Sequence, residues 1–486
     1  MAAVALLGAG ALAALLGEPA LTAAQDAAPA SAPGEQPTAM GLLAAHGLHD
    51  LQDERWNAYG QFTYISSWKL PFPAPYTNLG GSNGSLLPGA ERSFTGTATL
   101  YLGARLWTGA EAYLVPEVIA ERPLSNLKGL GAAIQNFELQ KGGEATPQIY
   151  RSRAYISQTF ELGGERTARE SAPLQLGGST SRRRLVLTVG NFSILDFFDK
   201  NAFASDLRQE FFSLAFMTYG AYDFASDARG YSWGGVAELY WDDWVVRAAR
   251  ITAPQHPNQL AVDFDLTRQY GDQIELEHDH RLLGRAGAVR ILAFRNREDM
   301  GRFSDAIAAF RADPARNAAA CQGFNYGSQN AGAPDLCWVR RSNVKEGIGL
   351  SLEQHVTDDI GIFFRGMVAD GQTEVDAYTA TDRSLSFGAL ARGASWSRPS
   401  DVTGAGVNLG WISSAHAEYL RLGGVDGFIG DGTIHPAAET VFEVFYGVNV
   451  VPAVWVSADY QHILNPAFNA DRGPVDIFGL RFHAQF

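Results

Sequence analysis

The sequence predicts an all-β fold: a transmembrane antiparallel β-barrel of about 16 strands, closed on itself, with long extracellular loops and short periplasmic turns. Three observations lead to this fold class. Apolar residues recur with period two after about residue 54, the connections alternate between short and long, and no long apolar run follows the N-terminus. The last observation excludes a helical membrane protein, because each helical span needs about 20 consecutive apolar residues.

The alternation is clearest in the last strand. One face of this strand is apolar and the other is polar, with Phe478, Leu480, Phe482, Ala484 and Phe486 on the first and Arg481, His483 and Gln485 on the second. An apolar face against lipid and a polar face toward water are typical of a strand that crosses a bilayer. The same pattern recurs at 94–102, 233–241, 348–352, 442–446 and 454–460.

The connections fall into two classes. Short turns are expected near 107–109, 242–243, 282–285, 357–359, 397–401 and 447–453, with one longer turn at 163–183. Long loops are expected near 68–91, 120–149, 193–230, 254–269, 296–343, 371–383, 414–437 and 465–473. An even strand count places both ends of the sheet at the short-turn side, which is periplasmic in such barrels. About 16 strands enclose an aqueous channel rather than a packed core.

The chain divides into three parts. Residues 2–16 form an unbroken stretch of apolar residues and Gly, which is too short to span a bilayer and is typical of a signal peptide. We therefore predict a signal peptide over residues 1–24. Residues 25–53 are predicted to be an Ala/Pro-rich spacer with a short lead-in, and residues 54–486 the barrel domain.

Charge and side-chain chemistry argue against several function classes. A formal net charge of −14 argues against a nucleic-acid partner, which would require a basic face. His278 and His280 alternate with acidic residues and fall on the outward face near a short turn, so we expect no metal and no other cofactor. The sequence has no nucleophile elbow and no Ser/His/Asp set that the alternation would bring together, so we do not expect an enzyme.

Cys321 and Cys337 lie 16 residues apart in a Gly/Asn-rich loop. An exported chain meets an oxidising compartment, where such a pair can close a disulfide. Two free thiols are the alternative.

The C-terminal sequence NPAFNADRGPVDIFGLRFHAQF (465–486) combines an Asn-Pro turn, an Asn-Ala-Asp-Arg-Gly-Pro loop and a terminal strand that ends in Phe. It resembles the C-terminal end of the carbohydrate-selective porin family of the OprB type. Residues 98–126, 190–219 and 419–443 also resemble this family, so the resemblance extends over about residues 55–486.

The resemblance implies a channel in the outer membrane of a Gram-negative bacterium, through which monosaccharides such as glucose pass by passive diffusion. It also implies a constriction made by inward-folded loops that carry Arg and acidic residues. The expected partners are small-molecule sugars, outer-membrane lipid and the barrel-assembly machinery, which would recognise the C-terminal strand ending in Phe486. A monomer and a homotrimer are both compatible with the sequence.

A sugar presents many hydroxyl groups, so a selective constriction needs planar donors, carboxylate acceptors and an aromatic wall, with contacts weak enough to release the solute. Arg151 and Arg153 share a polar face and are expected to point into the lumen near the outer end of their strand. Glu117 ends the strand that leads into the loop 120–149, close to Asn126. We predict that these four side chains contact solute. A salt-bridge lattice that braces the barrel wall is the alternative.

The segment 193–212 is the candidate for an inward-folded loop. Its polar residues alternate with phenylalanines that can anchor it against the wall while Asp196, Asp199 and Arg208 face the channel. The alternative is an extracellular loop with a small core of its own. Arg365 is lumen-facing by alternation, but nothing in the sequence places it at the constriction.

Three other functions compete with a sugar channel. The first is a general channel, or one for other small polyols or anions, which a single sequence barely separates from a sugar channel. The second is an outer-membrane enzyme, which would need a catalytic cluster at the rim. The third is a soluble, secreted all-β protein, whose apolar faces would have to be buried against each other.

Overall fold

All strands lie in one closed antiparallel sheet, so the predicted fold class is confirmed. The computed structural model describes residues 38–131, 134–140, 143–318, 321 and 323–486. The 16 strands are β1 (Trp56–Lys69), β2 (Glu91–Trp107), β3 (Ala110–Arg122), β4 (Gln148–Arg169), β5 (Gly178–Phe192), β6 (Ser232–Trp241), β7 (Trp244–Thr252), β8 (Tyr270–Leu282), β9 (Arg285–Met300), β10 (Arg341–His355), β11 (Ile360–Ala369), β12 (Arg383–Gly393), β13 (Arg398–Trp411), β14 (Glu439–Val451), β15 (Val454–Leu464) and β16 (Val475–Gln485). The α-helices in the described part are α1 (Ala39–Ala45), α2 (Leu214–Met217), α3 (Phe303–Ala312), α4 (Pro314–Ala318) and α5 (Ser414–Arg421). Within those described ranges, none of the helices has the length and apolar character needed to cross a membrane.

Each strand pairs with its neighbours in the chain, and β16 closes the barrel against β1 with Gln61 opposite Gln485. The backbone groups of Gly60 and Phe486 exchange two further hydrogen bonds of 2.8 and 2.9 Å at this seam. Closure removes the free edges of the sheet, since every strand has two partners. Short turns gather at one end of the barrel, the short-turn end, and long loops at the other, the long-loop end.

Side chains alternate between the two faces of the sheet. Outward positions carry exposed apolar side chains, as Phe62 in β1 and Phe478 in β16 show. Inward positions carry many buried polar or charged side chains, such as Thr63, Arg365 and Arg481. An apolar exterior and a polar interior are the pattern of a transmembrane barrel. The functional groups must therefore be sought inside the lumen.

The predicted turn at 163–183 is wrong in extent. β4 extends to Arg169 and β5 begins at Gly178, so their connection spans only 170–177. Arg166 is still paired with β5, beyond two shifts of register. Gly163 and Gly164 have φ angles of 100° and 87°, which L side chains rarely adopt. The two glycines, which suggest a turn in the sequence, instead form an irregularity inside a long hairpin.

Part of the predicted spacer packs into the short-turn end. The hydroxyl of Thr38 caps α1 by accepting a hydrogen bond from Gly41 N at 3.0 Å. Met40 is 1% exposed and belongs to a buried cluster with Tyr59 and Tyr101 of the inner wall. The sequence did not predict this helix, because a short Ala/Leu segment next to an Ala/Pro-rich stretch carries no barrel alternation.

Glu54 fastens this segment to the connection between β4 and β5. Its buried carboxylate accepts hydrogen bonds from Ser171 Oγ at 2.6 Å and from Gly177 N at 2.7 Å. The chain between α1 and β1 is therefore tied to the short-turn end. The predicted signal peptide, residues 1–24, and the spacer up to residue 37 lie outside the described residues and stay predictions.

At the long-loop end, α5 is linked to two other segments through His416. Its Nδ1 lies 3.2 Å from Asp382 Oδ2, its Nε2 lies 3.2 Å from Asp426 Oδ2, and its ring stacks on Phe303 of α3 at 4.2 Å. Burial lowers the pKa of His416, but the two carboxylates outweigh burial and raise the pKa to about 9. A protonated imidazole therefore joins three extracellular segments.

Cys321 and Cys337 are joined as a disulfide in the loop between β9 and β10, with their Cα atoms 6.4 Å apart. Asp335 caps the turn at the second cysteine by accepting a hydrogen bond from Cys337 N at 2.9 Å. The disulfide closes the outer part of this loop on itself.

The His416 contacts predict a pH-dependent stability. Because the folded-state pKa of about 9 lies above the unfolded value of about 6.5, the stabilisation is complete below pH 6.5 and is lost as the pH rises through 9. We expect the wild-type melting temperature to fall from pH 6 to pH 9.5 by more than that of His416→Gln, which corresponds to a difference of about 3 kcal/mol in stability. Scanning calorimetry in detergent measures both, with substitution of the exposed His46 by Gln as control. An identical pH dependence in wild type and His416→Gln would contradict this role.

Candidate pore constriction

The segment 193–231, which joins β5 to β6, folds into the barrel and is named the infolded loop. Its aromatic residues pack against the inner wall: the ring of Phe211 lies 5.5 Å from that of Phe363 and 5.1 Å from that of Phe445. The inward fold predicted for 193–212 is confirmed. The loop covers part of the polar wall and narrows the lumen.

One wall arginine holds the middle of the infolded loop. Arg365 of β11 donates to the carbonyl oxygens of Asp199, Ala204 and Phe216 at 2.9, 2.7 and 2.7 Å. Its Nε lies 2.9 Å from Oδ1 of Asp199, and both side chains are 0% exposed. Buried charges are tolerated when they are paired and hydrogen-bonded. This contact therefore fixes the depth at which the loop lies.

Wall carboxylates bind backbone N–H groups of the same loop. Glu443 accepts hydrogen bonds from Phe212 N at 2.6 Å and Ser213 N at 3.1 Å. Glu275 accepts one from Asp199 N at 3.0 Å. A buried backbone N–H needs a partner, and the loop has no strand ladder to supply one. The polar wall takes the place of that ladder.

A second segment, 134–140, also lies inside the barrel. Its side chains reach the inner face of β2, with Asn136 Nδ2 donating to Thr95 Oγ1 at 2.8 Å and Glu138 accepting from Thr97 Oγ1 at 3.1 Å. Phe137 N donates to Phe212 O of the infolded loop at 3.2 Å. Sequence reasoning missed this segment, although its alternation of apolar and polar residues was a usable signal.

Arg208 of the infolded loop faces the wall formed by β2 and β3. Its Nη1 donates to Tyr101 Oη at 3.1 Å, and its Nη2 lies 3.6 Å from both Glu117 and Glu138. The side chain of Arg208 is 18% exposed, whereas the two carboxylates are almost fully buried. Arg208 is therefore the most accessible side chain of this group.

Arg153 of β4 forms the second charged group. It binds Asp196 of the infolded loop through two hydrogen bonds of 2.7 and 2.6 Å, and each side chain is 15% exposed. Its guanidinium lies 5.4 Å from the ring of Tyr231. The constriction cluster is defined as Tyr101, Glu117, Glu138, Arg153, Asp196 and Arg208.

A wall-bracing lattice exists as well, but other residues form it. Arg247 of β7 contacts Glu238, Glu275 and Glu277 at 3.1, 3.0 and 2.6 Å. Arg290 of β9 continues the chain of ion pairs, with Glu277 at 2.7 Å. These side chains are nearly buried, so the lattice joins adjacent strands rather than offering donors to a solute. A wall-bracing lattice is therefore present, formed by other arginines than those predicted, and contact of Arg153 and Glu117 with solute stays a prediction.

The predicted orientation of Arg151 is wrong. Ser152 has no partner in β3, because Pro116 lies opposite Arg151 and the pairing resumes at Arg153. Proline cannot donate to the ladder, and the bulge reverses the alternation of β4 at this point. Arg151 is therefore exposed on the outer face, with its guanidinium 4.8 Å from the Trp233 ring, whereas Arg153 faces the lumen.

Two other predicted contact residues lie apart from the constriction cluster. Asp199 is fully buried against Arg365, so the prediction that it faces the channel is wrong. The alternation of polar and aromatic residues in a loop does not tell which polar groups turn toward the wall. Asn126 is exposed and ends a short turn beyond β3, with a φ of 55°. Its contact with solute stays a prediction.

The two histidines singled out in the sequence lie on the outer face. The ring of His278 stacks on Trp244 at 4.1 Å, and His280 contacts Gln354 at 3.0 Å. In the part of the chain that the structure describes, no group of three or more His, Cys, Asp or Glu side chains is arranged to hold a metal ion.

A closed barrel narrowed by loops that carry paired charges has the architecture of a diffusion channel. The family profile described as carbohydrate-selective porin, OprB family, matches residues 90–486. The chain belongs to this family. The protein is a carbohydrate porin of the outer membrane of a Gram-negative bacterium. Comparison with curated proteins gave no match.

Solved structures with similar chain paths include the high-pH structure of Pseudomonas putida OprB, which is 15% identical to this porin and covers 89% of this chain and 94% of its own, with a TM-score of 0.64. The channel DcaP of Acinetobacter baumannii is 8% identical over 90% of this chain and 100% of its own, with a TM-score of 0.48. OmpT of Vibrio cholerae is 10% identical over 90% and 99%, with a TM-score of 0.46. The first of these shows that the porin shares the fold of an outer-membrane channel. Family and fold are those of a channel rather than an enzyme.

Removing either arginine of the constriction cluster should widen the lumen. We expect Arg153→Ala and Arg208→Ala each to raise single-channel conductance in planar bilayers, because each change deletes a long, partly exposed side chain. Arg151→Ala is the matched control, since the same change two positions away affects the outer face. If Arg151→Ala raised conductance as much as Arg153→Ala, the assigned orientations would be refuted.

Breaking the buried ion pair should loosen the infolded loop. Asp199→Ala leaves Arg365 charged and unpaired inside the barrel, at a cost of about 3–5 kcal/mol. We expect larger open-channel current fluctuations and a higher mean conductance. Asp305→Ala serves as the control, because Asp305 lies on α3 and forms a partly exposed ion pair with Arg341. A current as steady as that of the wild type would show that the pair does not hold the loop.

Proposed function

We propose that the porin selects small uncharged sugars, monosaccharides such as glucose, at the constriction cluster while they diffuse passively through the lumen. The observation that carries this proposal is that both arginines of the cluster are partly exposed yet lie against carboxylates, Arg153 with Asp196 and Arg208 near Glu117 and Glu138. A passing solute therefore meets donors and acceptors side by side.

The balance of charge favours neutral polyols over ions. The cluster contains two arginines and three carboxylates, so its net charge is small for its number of charged groups. A hydroxyl group both donates and accepts hydrogen bonds, so it can bind to either member of such a pair. An ion is attracted by one member of an arginine–carboxylate pair and repelled by the other.

The arginines keep donors free for a solute. Asp196 uses Nε and one terminal nitrogen of Arg153, and a guanidinium carries five N–H donors. Aromatic side chains border both guanidinium groups, since the ring of Tyr231 lies 5.4 Å from the guanidinium of Arg153 and Tyr101 accepts a hydrogen bond from Arg208. Limited exposure of these groups keeps each contact weak, and weak contacts allow the solute to leave.

The same proposal covers export and assembly. Residues 1–24 act as a signal peptide, and the exposed apolar positions of the outer face contact outer-membrane lipid. The barrel-assembly machinery recognises the C-terminal strand ending in Phe486. Support for this last step comes from the position of β16, which is the closing strand and whose end at Phe486 is hydrogen-bonded to Gly60 of β1.

Liposome swelling and sugar block of the ion current test the selectivity. We expect glucose to enter faster than an uncharged non-sugar of similar size. Arg208→Ala should weaken glucose block by about tenfold, because a hydrogen bond to a charged group contributes about 1.5 kcal/mol or more. Arg151→Ala should leave the block unchanged.

Equal swelling rates for glucose and the non-sugar would point instead to a general channel. That result would remove the role proposed for the constriction cluster and leave the barrel as a size filter.

A further inference from the structure

Two buried carboxyl groups meet at the long-loop end, away from the constriction cluster. Glu298 lies on the inner face of β9, two residues before the strand ends, and Asp376 lies in the segment 370–382 between β11 and β12. Both residues are 0% exposed. Their carboxyl groups are close enough to share a hydrogen bond, and the side-chain amide of Asn296 lies beside the carboxyl group of Asp376.

These groups are unusual because their oxygens are unsatisfied. No donor among the described residues reaches either carboxyl oxygen of Glu298 or of Asp376 with hydrogen-bond geometry, and the same holds for Oδ1 of Asn296. The Nδ2 of Asn296 donates to the carbonyl of Asp223 at 2.6 Å, which fixes the amide and leaves its oxygen as the atom without a partner. Five buried oxygens from three side chains are thus without donors.

The basic groups nearby are already engaged. Lys345 Nζ binds Asp223 at 2.7 Å, and Asp223 also accepts backbone N–H bonds from the segment 370–382. Arg340 binds Glu374 at 2.7 Å. Each of these cations is matched by its own carboxylate. Lys345 acts on Asp376 only from beyond ion-pair distance, so neither Glu298 nor Asp376 forms an ion pair in the described part of the chain.

Two adjacent buried carboxylates cannot both stay ionised without a counter-charge. We propose that Asn296, Glu298 and Asp376 hold a calcium ion at the long-loop end of the barrel. A divalent cation neutralises both carboxylates, and its ligands here are all oxygens, which hard cations such as Ca²⁺ prefer. The site consists of two carboxylates and one amide oxygen, and water completes the six to eight ligands that Ca²⁺ takes.

The ion fastens several loops to the wall. Asp376 N donates to Asp223 of the infolded loop at 2.6 Å, and Asp376 O accepts from Asn258 N of the loop between β7 and β8 at 2.6 Å. A metal bridge from Asp376 to Glu298 therefore links these loops to β9. This role is separate from sugar selection at the constriction cluster, so either can fail without the other.

Equilibrium dialysis with radioactive Ca²⁺ tests the site. The full chain is refolded in detergent without lipopolysaccharide, treated with a chelator and dialysed against Ca²⁺ alone. We expect one ion per chain, with affinity weakened at least tenfold in Glu298→Gln and in Asp376→Asn. Asp299→Asn is the matched control, because this neighbour of Glu298 is half exposed on the other face of β9. Asn296→Asp adds a third carboxylate and should tighten binding.

Two results would overturn the proposal. If the folded wild-type barrel, checked by its heat-modifiable mobility in electrophoresis, bound no calcium at millimolar concentration, the two carboxyl groups would share a proton instead. If both Glu298→Gln and Asp376→Asn bound calcium as tightly as Asp299→Asn, the ion would lie elsewhere. If the wall variant Glu298→Gln does not fold, the calcium affinity of the loop variant Asp376→Asn alone decides between these outcomes. Binding by Asn296→Asp that is no tighter than that of the wild type would also count against the site.

Discussion

The position of the infolded loop depends on its contacts with the guanidinium of Arg365. A loop that enters a barrel takes backbone groups away from bulk water, and each of them needs a new partner. Arg365 satisfies three carbonyl oxygens and neutralises Asp199 at one point on the wall. Asp196 and Arg208 flank this anchor in the sequence. Two of the six residues of the constriction cluster are therefore positioned by a contact that takes no part in the pore itself.

The wall and the constriction use arginine in two different ways. In the lattice around Arg247, one guanidinium contacts three carboxylates and is almost fully buried, so its hydrogen-bonding capacity is consumed within the protein. In the constriction cluster, Arg153 and Arg208 lie where the wall meets the infolded loop and keep part of their surface accessible. The difference is one of position. An arginine within the wall is surrounded by neighbouring strands, and one at the edge of the loop faces open lumen.

Most of the barrel was predictable from the sequence, because strand alternation and turn spacing are local properties. The alternation in 478–486 and the sequence of short and long connections gave the strand count and the closing strand. The alternation of side chains gave wrong orientations where a bulge interrupts the strand. Pro116 introduces a bulge that turns Arg151 outward while Arg153 stays inside, although both appear on one face in the sequence. Alternation within a loop is not tied to the two faces of a sheet, so the opposite surroundings of Asp196 and Asp199, three residues apart, could not be predicted from the sequence.

The helix α1 is connected to the constriction cluster through one shared aromatic side chain. Met40 packs with Tyr59 and Tyr101, and Tyr101 is also the residue to which Arg208 donates a hydrogen bond. One aromatic ring thus belongs both to the constriction and to the floor formed by the N-terminal segment. The N-terminal helix therefore supports a side chain to which an arginine of the constriction is hydrogen-bonded, which makes the periplasmic end of the barrel part of the framework of the filter.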